Sequence, residues 1–106
     1  IDDEDTKWFA TDDGLISYKQ EWKKYTTKNS NITSNKINCI VMDIQKNIWI
    51  GTDNGISMLK KGNFTNFNTK NTNLLSNKIT SIHIDKHNNK WIGTWGGGVT
   101  KLTENK

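Results

Sequence analysis

Hydrophobic residues recur along the chain in short runs that alternate with polar residues and end at Gly, Asn or Asp. Residues 79–85 place Ile82 and Ile84 at alternate positions, and Ile40 and Met42 do the same one unit earlier. A period of two is typical of β-strands, because successive side chains point to opposite faces of the sheet. No run has helical spacing over a useful length, and the chain contains no proline. The pattern therefore predicts an all-β protein.

The pattern itself repeats along the chain. Trp8, Trp49 and Trp91 are separated by 41 and 42 residues, and Ser-Asn-Lys-Ile occurs at residues 34–37 and again at residues 76–79. Each repeat is predicted to hold four short antiparallel strands, for example at residues 79–85, 90–94 and 98–102, with a fourth strand at 64–67 one unit earlier. Turns containing Gly separate them at residues 12–14, 53–55 and 61–63. A four-stranded unit of this length is the signature of a β-propeller blade.

The repeats divide the chain into a partial blade at residues 1–31, a full blade at 32–73 and a partial blade at 74–106. Ile1 aligns with Ile84, so the chain is expected to begin near the end of an inner strand. Closed propellers carry about 4–8 blades, whereas this chain supplies about two and a half. We expect a fragment of a larger propeller, or a chain completed by other copies of itself.

Three segments carry a family resemblance. Residues 49–56 read Trp-Ile-Gly-Thr-Asp-Asn-Gly-Ile, and residues 91–99 read Trp-Ile-Gly-Thr-Trp-Gly-Gly-Gly-Val. Both resemble the two-component regulator propeller repeat, as does the stretch from Ser76 to Asp85. The first unit departs from the pattern at Ala10, where the others have Gly. The resemblance implies the extracytoplasmic sensor region of a hybrid two-component regulator, a family in which many members respond to oligosaccharides.

Residues needed in every blade are assigned to architecture. The tryptophans are expected to be buried in the wedge between blades, the glycines to let strands approach closely, and the aspartates to accept hydrogen bonds in the hairpin after the inner strand. These residues are Trp8, Trp49, Trp91, Gly51, Gly93, Asp43 and Asp85.

A ligand is expected on the face formed by the loops at residues 26–35 and 68–77 and by the turns at 12–13, 53–54 and 95–96, since binding residues concentrate on loops held by a rigid scaffold. These segments are rich in Asn, Thr, Ser and Asp, whose side chains suit sugar hydroxyls. Trp95 occupies the turn position of Asp12 and Asp53, and an aromatic ring there can stack on a pyranose or pack against a neighbouring blade. The candidate ligand-binding residues are Trp95, Asp12, Asp13, Asp53, Asn54, Asn35 and Asn77.

Charge and composition disfavour several classes of function. The 106 residues carry a net charge of +4 that comes from 15 lysines and no arginine, which disfavours nucleic-acid recognition because Arg is the usual reader of guanine and phosphate. The single Cys39 excludes a disulfide framework and a cysteine zinc site. The acidic residues 2–5 lack the spacing of a calcium loop, and the i, i+4 spacing of His83 and His87 suits metal ligation on a helix but not on a strand and turn. His83 on the inner strand is a candidate channel-lining residue, and no metal or cofactor is predicted. No catalytic set and no membrane span is recognisable in the sequence, so we do not expect an enzyme.

The resulting hypothesis is a ligand-sensing segment of an extracytoplasmic propeller, periplasmic or at the cell surface, that binds carbohydrate or another polar ligand. Its expected partners are that ligand and the remaining blades of a parent protein, or further copies of itself. The alternative is a secreted or surface propeller that acts as a lectin or protein-interaction scaffold without signalling output.

Overall fold

The computed structural model describes residues 6–70, 72–74 and 76–102. In these ranges it contains ten strands: β1 (Lys7–Thr11), β2 (Gly14–Lys19), β3 (Glu21–Tyr25), β4 (Ile37–Met42), β5 (Ile48–Thr52), β6 (Gly55–Lys60), β7 (Asn63–Phe67), β8 (Ile79–Ile84), β9 (Lys90–Thr94) and β10 (Gly98–Lys101). The all-β prediction is confirmed. The expected strand end at Ile1 and the acidic residues 2–5 lie outside the described residues.

The strands form three antiparallel sheets, each of which is a propeller blade. Blade 1 has the order β1-β2-β3, blade 2 the order β4-β5-β6-β7 and blade 3 the order β10-β9-β8. The β1–β2 turn of blade 1 and the β5–β6 turn of blade 2 depend on glycine: Gly14 and Gly55 have φ values of +114° and +101°. A Cβ on Gly55 would also lie 2.7 Å from the Phe67 carbonyl oxygen. The predicted Gly turns are therefore required both by the backbone conformation and by the adjoining outer strand.

The core lies between blades, so the central strands are buried on both faces. Ile50 on β5 is completely buried in a cluster with Leu15 of blade 1 and with Ile32 from the loop between the blades. The next residue toward the chain start, Trp49, points to the other face and packs with Ile79 of blade 3. Two dry faces explain why this strand reads as a continuous apolar run rather than alternating with polar residues.

The expectation that all three repeat tryptophans are buried needs a correction at Trp91. Trp49 is 5 % exposed and Trp8 is half-buried, whereas Trp91 is 38 % exposed. Trp91 lies on the face of blade 3 that is turned away from blade 2, and no described strand covers that face. The same reason accounts for Val99, which is 74 % exposed on β10.

Gly51 is placed where two strands converge on β5. A Cβ at this position would lie 2.5 Å from the Cys39 sulfur of β4 and 2.6 Å from Cγ2 of Ile79 in blade 3. At Gly93 the corresponding atom would meet the Ser81 hydroxyl of its own inner strand. The glycine therefore allows the inner strand to approach in both blades, and at Gly51 it also allows the next blade to approach.

We expect Gly51→Ala to lower the free energy of unfolding by about 1–3 kcal/mol, because the methyl group overpacks a filled junction. Urea unfolding monitored by tryptophan fluorescence measures the change. The double variant Gly51→Ala/Cys39→Ala should recover part of the loss, since it removes one of the two crowding atoms. A single variant as stable as the wild type would show that the junction is loosely packed.

Candidate ligand-binding face

The upper face, defined as the end of the blades that carries the β1–β2, β5–β6 and β9–β10 turns, is tied together by backbone hydrogen bonds. The amide of Gly55 in blade 2 donates to the Asn77 carbonyl at 2.5 Å. The amide of Trp95 in blade 3 donates to the next carbonyl, that of Lys78, at 2.9 Å. Two consecutive carbonyls therefore connect the turns of neighbouring blades. The loop before β4 does the same for blades 1 and 2, through the carbonyls of residues 35 and 36.

The structure places all seven predicted ligand-binding residues at this end, in these turns or in the loops that lead into β4 and β8. They are Trp95, Asp12, Asp13, Asp53, Asn54, Asn35 and Asn77. Their side chains differ in how many hydrogen bonds and ion pairs they already make within the protein. These contacts decide which side chains are available to bind a ligand.

The asparagines have mainly structural partners. The Oδ1 atoms of Asn35 and Asn77 accept backbone hydrogen bonds from Thr27 and Thr69, each at 2.8 Å. The amide nitrogen of Asn54 donates to a loop carbonyl at 3.4 Å, and its side chain is exposed. Asn35 and Asn77 therefore fix the shape of the loops, and Asn54 is the more accessible amide.

One carboxylate in the upper turn of blade 1 and one in that of blade 2 form an ion pair with a lysine. Asp13 accepts a hydrogen bond from Lys24 Nζ at 2.7 Å, and this bond lowers the pKa of the Asp13 carboxyl. Asp53 Oδ2 lies 3.7 Å from Lys36 Nζ. The pKa of Asp53 is lowered first by a hydrogen bond from Asn38 and then by the nearby lysines. Both groups are ionised acceptors at neutral pH, and Asp12, which precedes Asp13 in the chain, is exposed.

Asn38 is a site residue that the sequence reasoning missed. The pairing of β4 with β5 shifts between Ile37 and Cys39, so Asn38 lies in a bulge. Its Nδ2 donates to Asp53 Oδ1 and to the Ile79 carbonyl of blade 3, both at 2.8 Å. Bulges commonly re-aim a side chain. The available signal was a polar residue inside the apolar run Ile-Asn-Cys-Ile, which on its own does not indicate a bulge.

Trp95 is the most accessible aromatic group of the upper face, with 70 % of the residue exposed. The Nζ atom of Lys78 lies 5.8 Å from the centre of its ring. Within the described residues, the Trp95 side chain does not pack against a neighbouring blade. A flat ring and a cation are therefore presented together to solvent.

The repeat aspartates lie at the opposite, lower end. Asp43 accepts hydrogen bonds from the backbone amides of Gln45 and Asn47, from the Asn47 side chain and from the Trp49 indole, the last at 2.8 Å. Asp85 has the same set of donors in blade 3, including the Trp91 indole at 3.0 Å. These carboxylates connect the hairpin to the tryptophan, which is an architectural role.

Two cavities also lie at the lower end, at the junctions between blades. One of about 320 Å³ is lined by Trp49, Phe67 and Lys90 among others, and one of about 850 Å³ by the equivalent Trp8 and Tyr25. The two cavities occupy equivalent positions in successive repeats, beside the place where the repeat tryptophan stacks on an aromatic residue of the outer strand. They are consequences of blade packing, whereas the upper face is an open surface.

Other chemistry is sparse in the described part of the chain. No group of three or more His, Cys, Asp or Glu side chains there could hold a metal ion. Burial raises the pKa of the Cys39 thiol, and His83 lies on the exposed face of blade 3. No helix among the described residues has the length and apolar character needed to cross a membrane.

The fold defines a segment of a β-propeller made of three consecutive blades, with a polar upper face. Residues 31–54 match the family model described as two component regulator propeller. The chain is similar, at 29 % identity and a TM-score of 0.77, to a crystal structure described as the extracellular domain of a proposed hybrid two component system from B. thetaiotaomicron. That match covers 99 % of this chain but 16 % of the other. A search of curated proteins found no match.

These findings confirm the resemblance to the two-component regulator propeller and the propeller fold. The matched residues contain the first Ser-Asn-Lys-Ile segment, at residues 34–37, and the Trp-Ile-Gly-Thr segment of β5, and Ile37 at the start of β4 pairs with Thr52 at the end of β5. Neither the family model nor the solved domain is described as an enzyme.

Proposed function

We propose that the chain is part of the extracytoplasmic sensor propeller of a two-component signalling protein, and that its upper face contacts the ligand. The propeller repeat at residues 31–54 and the likeness to an extracellular two-component domain support this role. Ligand contact would change the arrangement of blades or subunits, and that change would pass to an output domain. Fold alone does not specify function, so the proposal depends on the chemistry of the upper face.

The proposed ligand is a carbohydrate. The observation that carries this proposal is the exposed indole of Trp95 at the turn position that holds Asp12 and Asp53 in the other blades. Aromatic rings offer a flat apolar surface to a sugar ring. Ionised Asp53 and the exposed Asn54 supply acceptors and a donor for hydroxyl groups on the same face.

Further blades are the second proposed partner. Phe9 and Val99 are 43 % and 74 % exposed, whereas Ile50 and Ile56, at the equivalent positions of blade 2, are fully buried between blades. Exposed apolar faces of this kind mark interaction sites. We therefore propose that more blades, from the same polypeptide or from further copies, cover the outer faces of blades 1 and 3.

We expect Trp95→Ala to weaken oligosaccharide binding about tenfold, because stacking on an indole contributes on the order of 1 kcal/mol beyond burial. Isothermal titration of the protein as its gene encodes it, against a panel of neutral and acidic oligosaccharides, measures the effect. Ile44→Ala is the control, since Ile44 is 62 % exposed at the lower end. Absence of binding across the panel contradicts the carbohydrate proposal, and binding without ligand-dependent phosphotransfer favours the lectin-like scaffold.

A further inference from the structure

The upper face contains one position where two blades can be compared directly. Lys36 and Lys78 occupy the same place in the two Ser-Asn-Lys-Ile segments. The Lys36 carbonyl accepts the amide hydrogen of Asp53 at 3.3 Å, and the Lys78 carbonyl accepts that of Trp95 at 2.9 Å. The backbone therefore places residue 53 beside Lys36 in the same way as it places residue 95 beside Lys78.

The side chains at this position differ in charge. In blade 2 the Nζ atom of Lys36 lies 3.7 Å from the carboxylate of Asp53. In blade 3 the carboxylate is replaced by Trp95, and Lys78 Nζ lies 5.8 Å from the ring centre. Among the described residues, no carboxylate lies within ion-pair distance of Lys78. Blade 3 thus keeps the cation of the repeat and puts an aromatic ring where the anion stands in blade 2.

We propose that Lys78 and Trp95 form a subsite for an acidic sugar, a saccharide that carries a carboxylate or a sulfate group. This inference rests on the proposed carbohydrate function and names the class of ligand. The ligand anion pairs with Lys78, as the Asp53 carboxylate pairs with Lys36, while the sugar ring stacks on the indole. Trp95 keeps 70 % of its surface exposed with Lys78 in place, so one face of the ring is open to the sugar.

The surroundings favour an anion over a neutral sugar. Lys36 is the next lysine along this face, and both Lys36 and Lys78 contribute to the lowered pKa of Asp53. The charge of Lys78 lowers the pKa of Asp53 more than the charge of Lys36 does, so a ligand anion at Lys78 would lie on the part of the face where two lysines act together. The backbone hydrogen bond of 2.9 Å between the Trp95 amide and the Lys78 carbonyl holds the two residues in register without ligand. Such preorganisation lowers the cost of binding.

The test compares matched probes on the protein as its gene encodes it. Trigalacturonate and a sulfated galactose trimer represent the two acidic classes, galactotriose is the neutral counterpart, and inorganic sulfate is the free anion. Isothermal titration is done at about 20 mM and about 300 mM salt, which spans strong and weak screening. The variants are Lys78→Met, which keeps the apolar stem, and Trp95→Asp, which restores the Lys36–Asp53 type of ion pair. Lys86→Met, an exposed lysine at the lower end of blade 3, is the control.

We expect at least one acidic trimer to bind about five- to tenfold more tightly than galactotriose at low salt, with the preference shrinking at high salt. Lys78→Met should remove the preference for acidic trimers and leave galactotriose binding unchanged. Trp95→Asp should remove binding of the acidic trimers and of galactotriose. Lys86→Met should leave all these affinities unchanged. A carboxylate ligand and a sulfate ligand are distinguished by which trimer binds more tightly.

Four results overturn the inference. Equal affinity for acidic and neutral trimers, or an equal effect of Lys78→Met on both, contradicts the acidic subsite while the carbohydrate function stands. Inorganic sulfate binding as tightly as the acidic trimers means that the ring makes no contribution, which contradicts the paired subsite. Lack of binding by every trimer removes the carbohydrate function together with this inference.

Discussion

Trp49→Ala is expected to lower the free energy of unfolding by about 3–5 kcal/mol, as large aromatic deletions in a core do. Trp49 is 5 % exposed and packs between blades 2 and 3, where its ring stacks on Phe67 at a centroid distance of 5.3 Å. Deleting the side chain leaves a cavity at this junction. It also removes the indole donor of the buried Asp43 carboxylate, which adds the cost of a lost hydrogen bond to a charged group.

Urea unfolding of wild type and variant measures this loss. Trp49→Phe separates its two parts, because it keeps a ring in the junction and deletes the N–H group, and we expect an intermediate loss. Trp95→Ala is the matched control, since the same deletion at a residue that is 70 % exposed should cost less than about 1 kcal/mol. Equal losses for Trp49→Ala and Trp95→Ala would contradict the interblade core described above.

The propeller fold could be predicted because the same residue types fill the junction between blades in each repeat. Trp49 and Ile50 must point to opposite dry faces, so every repeat needs a large residue next to an aliphatic one at a fixed spacing. The Gly at positions 14 and 55 is likewise required in each turn by a positive φ. Requirements that recur in each blade leave a periodic signal in a single sequence.

The location of the candidate site could be predicted from the sequence, but the contacts of its individual side chains could not. The turn and loop positions follow from the strand order, so the upper face could be located. Which side chains already have hydrogen-bond partners within the protein depends on contacts between segments that are distant in sequence. Asn35 and Asn77 accept hydrogen bonds from loop backbone, and Asn38 reaches Asp53 only because β4 contains a bulge. Local pattern does not encode these contacts.

The exposure of Trp91 has a related physical cause. Its sequence position is equivalent to that of Trp49, and its indole makes the same hydrogen bond to the repeat aspartate. Burial, however, is a property of the junction between two blades rather than of one blade. A repeat therefore predicts which face a side chain takes, whereas its burial depends on whether a neighbour is present on that face. Trp95, by contrast, departs from the repeat itself, and this departure is what points to function.

Asp43→Asn is expected to lower the free energy of unfolding by about 2–4 kcal/mol near pH 7. Both carboxylate oxygens of Asp43 accept hydrogen bonds from N–H donors, so either orientation of the new amide turns its NH₂ group toward a donor. Burial by itself would raise the pKa of Asp43, but the hydrogen bonds from Trp49, Asn47 and Gln45 outweigh it and hold the pKa below the ordinary value of 3.8. A carboxyl whose folded pKa is lowered stabilises the protein above its unfolded pKa, and this contribution is lost as the pH falls through the folded pKa.

The difference between wild type and Asp43→Asn should therefore be constant near neutral pH and shrink below about pH 4, where only the wild type gains a proton. Urea unfolding near pH 7, pH 4 and pH 2.5 measures it, each value being about the centre of one regime. Asp85 has the same donors and a lowered pKa, its strongest cause being the Trp91 indole, so wild type and variant share its acid response and the difference isolates Asp43. Asp12→Asn, at an exposed turn position, is the control with little expected effect. A difference that persists unchanged at low pH would mean that Asp43 acts through packing and not through its charge.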